Sequence, residues 1–395
     1  MSRFTESERR ASIGLAGVFS LRMFGLFVIL PVLAVYTAHL PGGNNATMIG
    51  VALGIYGLTQ AAFQIPFGRL SDFWGRKKTI YLGLGVFIVG SLIAATSDSI
   101  LQLCIGRAVQ GAGAVSAAAM ALTSDLTRDS VRTKSMALIG VTIGVTFILS
   151  IAIGPLLESL IGVSGIFLLT AMLSCVAVLV VKFYVPDCAP DQNAQDEKPA
   201  PVAAVLRDLN LLRLDFGIFS LHGILMAMFV VIPFALLEHA DSVKAWQFYL
   251  TVMIASIFIM VPLIVISERT RFRKQVFCSS ILLIAASQIF LSFFEIGVIG
   301  LGVTMILFFG AFNLLEASLP SWVSRVADRK SKGTALGVYS TSQFLGTFIG
   351  GVAGGWIYGN FSSSGVFLIS GIWALVWMFT MLNMEDDPRE AVLEQ

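Results

Sequence analysis

Gly68-Arg69-Leu70-Ser71-Asp72-Phe73-Trp74-Gly75-Arg76-Lys77-Lys78 lies between two apolar stretches, Met48 to Leu70 and Thr79 to Thr96. About 20 apolar residues cross a hydrocarbon core of roughly 30 Å, so the first stretch is long enough to span a bilayer and the second nearly so. A charged turn this tight between two spanning helices is useful where it controls how those helices move.

The rest of the chain has the same character. Hydrophobic residues make up 56% of it, charged residues only 13%, and the mean hydropathy is +0.85. Soluble domains carry about 25% charged residues, so most of this surface cannot face water. Reading with the same window predicts about twelve spans, over residues 12–37, 48–71, 79–97, 100–126, 135–160, 164–184, 216–237, 246–267, 275–294, 297–324, 333–358 and 364–384. Backbone polar groups in lipid must be satisfied within the segment or by a closed barrel, and these runs are too long and continuously apolar for barrel strands. They are predicted to be helices, giving an all-α membrane protein. The first is too long in its apolar part for a cleaved signal peptide, and no small-residue cleavage site follows it.

The net charge of +2 says little, but the placement of the basic residues says much. Arg3, Arg9 and Arg10 precede span one. Arg69, Arg76, Lys77 and Lys78 lie at the turn after span two, and Arg128, Arg132 and Lys134 follow span four. Lys182, Lys198, Arg207 and Arg213 lie around the loop after span six, and Arg269, Arg271, Arg273 and Lys274 follow span eight. Arg325, Arg329, Lys330 and Lys332 follow span ten, with Arg389 in the tail. Of the 26 Lys and Arg, 23 lie on this one side, leaving Arg22 and Arg107 deep inside spans and Lys244 alone on the opposite side. Positive residues stay cytoplasmic, so both termini are expected inside. No nucleic-acid partner is implied. Cys104, Cys175 and Cys278 fall in or at the ends of spans and Cys188 in a reducing cytoplasmic loop, so neither a disulfide framework nor a metal site is expected.

The stretch 185–215 breaks the apolar rhythm with Pro186, Pro190, Asp191, Asp196, Glu197, Lys198, Pro199 and Pro201. It reads as a cytoplasmic linker between a six-helix half over 1–184 and a second over 216–395. Its end, Val202 to Arg213, is expected to form a short helix on the membrane surface. The halves echo one another. Pro66-Phe67-Gly68-Arg69-Leu70-Ser71-Asp72 aligns with Pro262-Leu263-Ile264-Val265-Ile266-Ser267-Glu268, each followed by a basic cluster. Lys134-Ser135-Met136-Ala137-Leu138 likewise aligns with Lys332-Gly333-Thr334-Ala335-Leu336. Parallel repeats of six spans imply a pseudo-twofold axis along the membrane normal and a central site between the halves.

Over nearly its whole length the chain resembles the major facilitator superfamily. Gly68 to Lys78 is similar to the signature turn between spans two and three. Arg107-Ala108-Val109-Gln110-Gly111-Ala112-Gly113 is similar to a span-four pattern of proton-coupled members. Gly140, Gly144, Gly154 and Pro155 partly match the span-five pattern of drug–proton antiporters, with Ser150, Glu158 and Ser159 departing from it. Leu21-Arg22-Met23-Phe24-Gly25 and Leu30-Pro31-Val32-Leu33 bring it nearest to a bacterial exporter of that superfamily that has an added C-terminal cytoplasmic domain. Only Glu385 to Gln395 follow span twelve here, so that domain is expected to be absent.

The resemblance implies a multi-pass protein of a bacterial inner membrane, a secondary transporter working by alternating access. Export of small amphipathic compounds or metabolites coupled to protons is the expected activity. Uptake by a proton symporter or facilitator, and a transporter-like sensor or scaffold, are the alternatives. A small-molecule substrate, protons and the bilayer are the implied partners, and a monomer is expected. The chain has no phosphate-binding Gly-Lys-Ser/Thr loop and no metal-ligand cluster, so no cofactor and no enzyme activity are expected.

The resemblance also implies that Asp72 faces the positive N-terminal end of span eleven and joins Arg76 and Asp125 in an ion-pair network. Gly68 and Gly75 would permit the close helix approach and the tight turn, and Gly154 with Pro155 a helix kink. Lys77 and Lys78 read as topology anchors. Arg22 lies about 13 Å into span one and Arg107 about 10 Å from the outer end of span four, at 1.5 Å per residue. Charges at such depth face a cavity or a partner. Gln110 shares a face with Arg107, which is read either as a sensor of protonation or anionic substrate or as a hydrogen-bond hub. In span ten Asn313 and Glu316 are expected on one face. A carboxylate in a low-dielectric cavity is a natural proton carrier, although a neutral Glu316 satisfied by a neighbouring helix fits the residues as well. His222 either titrates near neutral pH or packs. Gln60, Gln64 and Gln343 are candidate cavity residues, and Glu158 reads as a solvated rim residue.

Overall fold

The computed structural model describes residues 4–187, 202–238, 243–269, 273–294, 297–328, 331–382 and 384. The linker core 188–201 with Cys188, the tail 385–395, and Arg3, Arg271, Arg329 and Lys330 lie outside the described residues, as do the side chains of Asp129, Glu268 and Arg269. Among the described residues the regular elements are all helices. Span one is α1 (Glu6–Phe27) and α2 (Leu30–Ala38), followed by α3 (Ala46–Trp74) and α4 (Arg76–Ala95). Span four is α5 (Ile100–Ala112) and α6 (Ser116–Asp125), and α7 (Asp129–Phe183) comes next. The second half runs through α8 (Val202–Val205), α9 (Leu209–Leu237), α10 (Ala245–Arg269), α11 (Arg273–Phe293), α12 (Val298–Val326) and α13 (Lys332–Leu382).

Among the described residues, ten stretches are long and apolar enough to cross a membrane. Two of them, α7 and α13, count double. A straight α7 would be about 80 Å long at 1.5 Å per residue, more than twice the hydrocarbon thickness of roughly 30 Å. Both break at one residue with left-handed backbone, Gly162 (φ 68°) in α7 and Ser362 (φ 64°) in α13. The described residues thus form twelve spanning helices. The kink expected at Gly154–Pro155 is not where α7 breaks, since the backbone stays helical there. Gly154 serves packing instead: a Cβ on it would come within 2.4 Å of the Val28 carbonyl oxygen. That carbonyl sits at the break between α1 and α2, just ahead of Pro31, which has no N–H to continue the helix.

The described residues within 1–44 and 55–196 form one compact unit, and those within 45–54 and 197–395 the other. In the second, α9 is the core helix. Leu214, Ile218, Leu221, Ile224, Met228 and Phe229 are completely buried, as expected of a helix that is apolar all round. By contrast α10 exposes Phe258 and Val261 to its surroundings. The surface helix expected over Val202 to Arg213 is only the single turn α8. Asp208 then caps a new helix, its carboxylate accepting from the Asn210 and Leu211 amides, so Leu209 to Arg213 open α9 rather than lie apart from it.

Ser362, at φ 64° and ψ −176°, occupies backbone space that is essentially glycine's, at a cost of order 1–3 kcal/mol. Its counterpart in α7 is a glycine. Ser362→Gly is therefore expected to stabilise the purified protein by about 1 kcal/mol, read as a higher melting temperature in detergent. A lower one would show that the serine side chain is needed at this corner.

Candidate functional site

The signature turn is built by Gly75, whose φ of 101° ends α3 and starts α4. Arg76, first in α4, reaches back over the turn. Its Nη1 donates to Asp72 Oδ1 and, at 2.7 Å, to Ser71 Oγ, while its Nε donates to Asp125 Oδ2 at 2.9 Å. The Asp72–Arg76–Asp125 network is thus assembled within the first unit. Asp72 is well exposed, and exposed pairs of this kind add about 0–1 kcal/mol, so the network orients the turn more than it stabilises it. Gly68 contributes no close approach in this conformation, because a Cβ there would meet Ala117 Cβ at an ordinary 3.5 Å.

Lys77 does more than anchor topology. Its Nζ donates to the Val185 carbonyl at 2.7 Å and to Asp187 Oδ1 at 2.6 Å, and this bond holds the Asp187 carboxyl below the usual carboxylate range. The same clasp recurs in the second unit, where Lys274 Nζ donates to the Met384 carbonyl at 2.6 Å. Ser71 and Ser267 also match, each hydroxyl donating to the carbonyl three residues before it, Gly68 and Ile264. The sequence echo is therefore an echo of bonds.

Deep in the first unit Arg22 is 1% exposed. Its Nη2 donates to Gln60 Oε1 (2.5 Å), Tyr56 Oη (3.0 Å) and the Gly113 carbonyl (3.1 Å), and its Nη1 to Ser116 Oγ (2.9 Å). Gly113 ends α5. The guanidinium thus caps the negative end of a helix dipole, which favours a cation without any buried carboxylate. Gln60 in turn donates to Gln64 Oε1 at 3.0 Å. Arg107, equally buried, lies over the Tyr56 ring at 5.1 Å and donates from Nη1 to Gln110 Oε1 at 3.1 Å. Gln110 passes the chain on to Ser91 Oγ at 2.8 Å. Nε and Nη2 of Arg107 are buried with no partner among the described residues. Arg22 is a hub, while Arg107 keeps donors unspent.

The second unit holds the titratable cluster. Gln343 Nε2 stands 2.9 Å from His222 Nε2 and 3.3 Å from Glu316 Oε1, and His222 Nε2 is 3.7 Å from Glu316 Oε2. The last distance is an electrostatic contact, too long for a hydrogen bond. With its amide donating both ways, Gln343 fits an ionised Glu316 and a neutral His222 whose proton is on Nδ1. Turning the amide over presents its oxygen to both neighbours, which fits a protonated Glu316 and a His222 protonated on Nε2. His222 Nδ1 and Glu316 Oε2 are buried without a hydrogen-bond partner among the described residues. Asn313 takes no part in this, since its amide turns to Ser256 Oγ on α10 at 3.4 Å. Three residues are about 300° around a helix, which leaves Asn313 and Glu316 about 60° apart. That is enough for them to address different neighbours. Glu158 is exposed.

The sequence reading passed over Tyr56 and Ser116, the partners of Arg22, and also Asp215. This aspartate is 5% exposed with Oδ2 unpartnered. Its flanking Leu214 and Phe216 were the available signal, being apolar where a surface acid would have polar company.

Twelve apolar helices in two six-helix halves, with buried polar clusters and a charged turn after the second span, define a multi-pass membrane transporter of the all-α class. The Major Facilitator Superfamily model matches residues 15–350 and again 270–394, and the chain belongs to that superfamily. The inner membrane transport protein YajR of Escherichia coli (strain K12) is 45% identical over 389 residues, spanning 98% of this chain and 86% of that protein. It is the relative whose likeness Leu21–Gly25 and Leu30–Leu33 carry. The tetracycline resistance protein, class H, of Pasteurella multocida is 35% identical over 140 residues, 35% of this chain and 34% of that one. Among solved structures, a bacterial homolog of the human lysosomal transporter Spinster superposes with a TM-score of 0.75 at 12% identity, covering 98% of this chain and 100% of that one.

Proposed function

We propose that the protein is a secondary active transporter that works by alternating access and exports small amphipathic compounds or metabolites in exchange for protons. The observation that carries the coupling is the His222–Gln343–Glu316 cluster. It sets a half-buried carboxylate beside a nearly buried imidazole within a largely apolar helical unit, a setting in which proton relays are built. Efflux of tetracycline-like compounds is favoured by the likeness to the tetracycline resistance proteins. The turn at Asp72, Arg76 and Asp125 acts in this reading as a latch, loosened when its charges move. The basic loops lie on the cytoplasmic face of a bacterial inner membrane, both termini inside, and a single chain is the working unit.

The test is transport by the purified protein in lipid vesicles that enclose a pH-sensitive dye, with an imposed proton gradient and a panel that includes tetracycline. Substrate moving against an opposed flow of protons is the expected result. Substrate and protons moving together would replace export by symport, and substrate movement indifferent to the gradient would remove coupling altogether.

A further inference from the structure

Asp215 takes no part in the cluster just described, yet it stands near it. On α9 it precedes His222 by seven residues, which places both on one face about 10 Å apart along the axis. On α13 Tyr339 precedes Gln343 by four residues, one turn away on the same face. Both helices start at the end that carries the basic loops, so Asp215 and Tyr339 lie on that side of the His222–Gln343 pair. Tyr339 is within electrostatic reach of both Glu316 and Asp215. Asp215 makes no hydrogen bond or ion pair among the described residues and is 5% exposed. The indole Nε1 of Trp377, a second buried group without a partner, abuts Gly217 two residues further along α9. Across this seam Tyr339 on α13 is within reach of Asp215, His222 lies two turns along the same face of α9, and Glu316 on α12 is reached through Tyr339.

An ionised carboxylate left unpaired inside a protein costs several kcal/mol, and such groups persist where they have work to do. We propose that Asp215 is a second proton-exchange site, the station through which Glu316 trades its proton with the aqueous phase at the basic-loop end. In the outgoing step the Glu316 carboxyl gives up its proton and becomes a carboxylate. The Tyr339 hydroxyl and intervening water pass a proton along, and the Asp215 carboxylate takes it up before releasing it to water. No electrons move. The inference rests on the reading of Glu316 as the carrier.

The experiment is infrared difference spectroscopy of the full-length protein in lipid after a pH jump, which follows the carbonyl stretch of each protonated carboxyl without needing a substrate. The wild type is expected to show two titrating carboxyl bands, one removed by Asp215→Asn and the other by Glu316→Gln. In Asp215→Asn the Glu316 band should persist but lose its proton about tenfold or more slowly, as when a positioned proton acceptor is removed. Asp215→Glu should restore the rate, and matching melting temperatures would confirm that the variants fold. Two results overturn the proposal: Asp215→Asn with unchanged bands, or with an unchanged rate at Glu316. A wild type with no band assignable to Glu316 overturns the carrier reading and the relay with it, an outcome distinct from the other two because they leave the Glu316 band in place.

Discussion

Glu316→Gln is expected to abolish substrate-driven proton movement while leaving the protein folded. Glutamine keeps the size and the acceptor oxygen of the side chain, so the bond from Gln343, 3.3 Å long in the wild type, survives. What it cannot do is accept a proton. The introduced amide offers Gln343 either an acceptor oxygen or a donor N–H, so the His222–Gln343 contact at 2.9 Å is no longer switched by a proton. Proton flux in dye-loaded vesicles should fall to the background leak. Exchange of substrate across the membrane without a gradient should continue, since exchange needs no net protonation. Full coupling in this variant would exclude Glu316 as the carrier and move the role to His222, for which His222→Gln is the next measurement.

The second large effect is structural. Arg22→Leu is expected to destabilise the first unit by about 3 kcal/mol, because several buried neutral acceptors lose their donor at once. Tyr56 Oη, Gln60 Oε1, Ser116 Oγ and the Gly113 carbonyl all receive Arg22 donors. Leucine would leave them in an apolar interior, where each unsatisfied group costs about 1–3 kcal/mol, though not additively. Arg107→Leu should be much milder, because Arg107 makes one side-chain hydrogen bond, to Gln110, and leaves Nε and Nη2 unused. Thermal melting of the two purified variants decides this. Equal losses would mean that Arg22 is no more a hub than Arg107.

The spans are legible in the sequence because lipid leaves the chain few options. Long apolar runs must be helices, and basic residues mark one side of each turn. Arg22 and Arg107 stand out for the same reason, as charges are costly at that depth. Their acceptors do not stand out, since Tyr56, Ser116 and the Gly113 carbonyl are ordinary groups in apolar runs and acquire meaning only when helices meet. Pro155 lies within the helical backbone of α7, and the chain turns at Gly162, in the gap between the spans predicted over 135–160 and 164–184. Asn313 and Glu316 show how a spacing of three misleads, because it joins neighbours on a surface without making them address the same partner. Asp215 escapes notice because it stands two residues after Arg213, where an acid passes for part of the polar headgroup region. Lys77 escapes because its partner at Val185 is a backbone carbonyl, which residue type does not reveal.

The paired clasps of Lys77 on Val185 and Lys274 on Met384 have a mechanical consequence. Each ties the strand of chain that leaves a six-helix bundle to the hinge between that bundle's second and third helices. A pull on the linker is therefore borne first by an ammonium group gripping a carbonyl and only afterwards by the last helix of the bundle. Load on the tether arrives at the hinge, one residue from Arg76. The chain between the halves is thus harnessed to the same corner that carries the ion-pair network, and a lysine serves as its buckle.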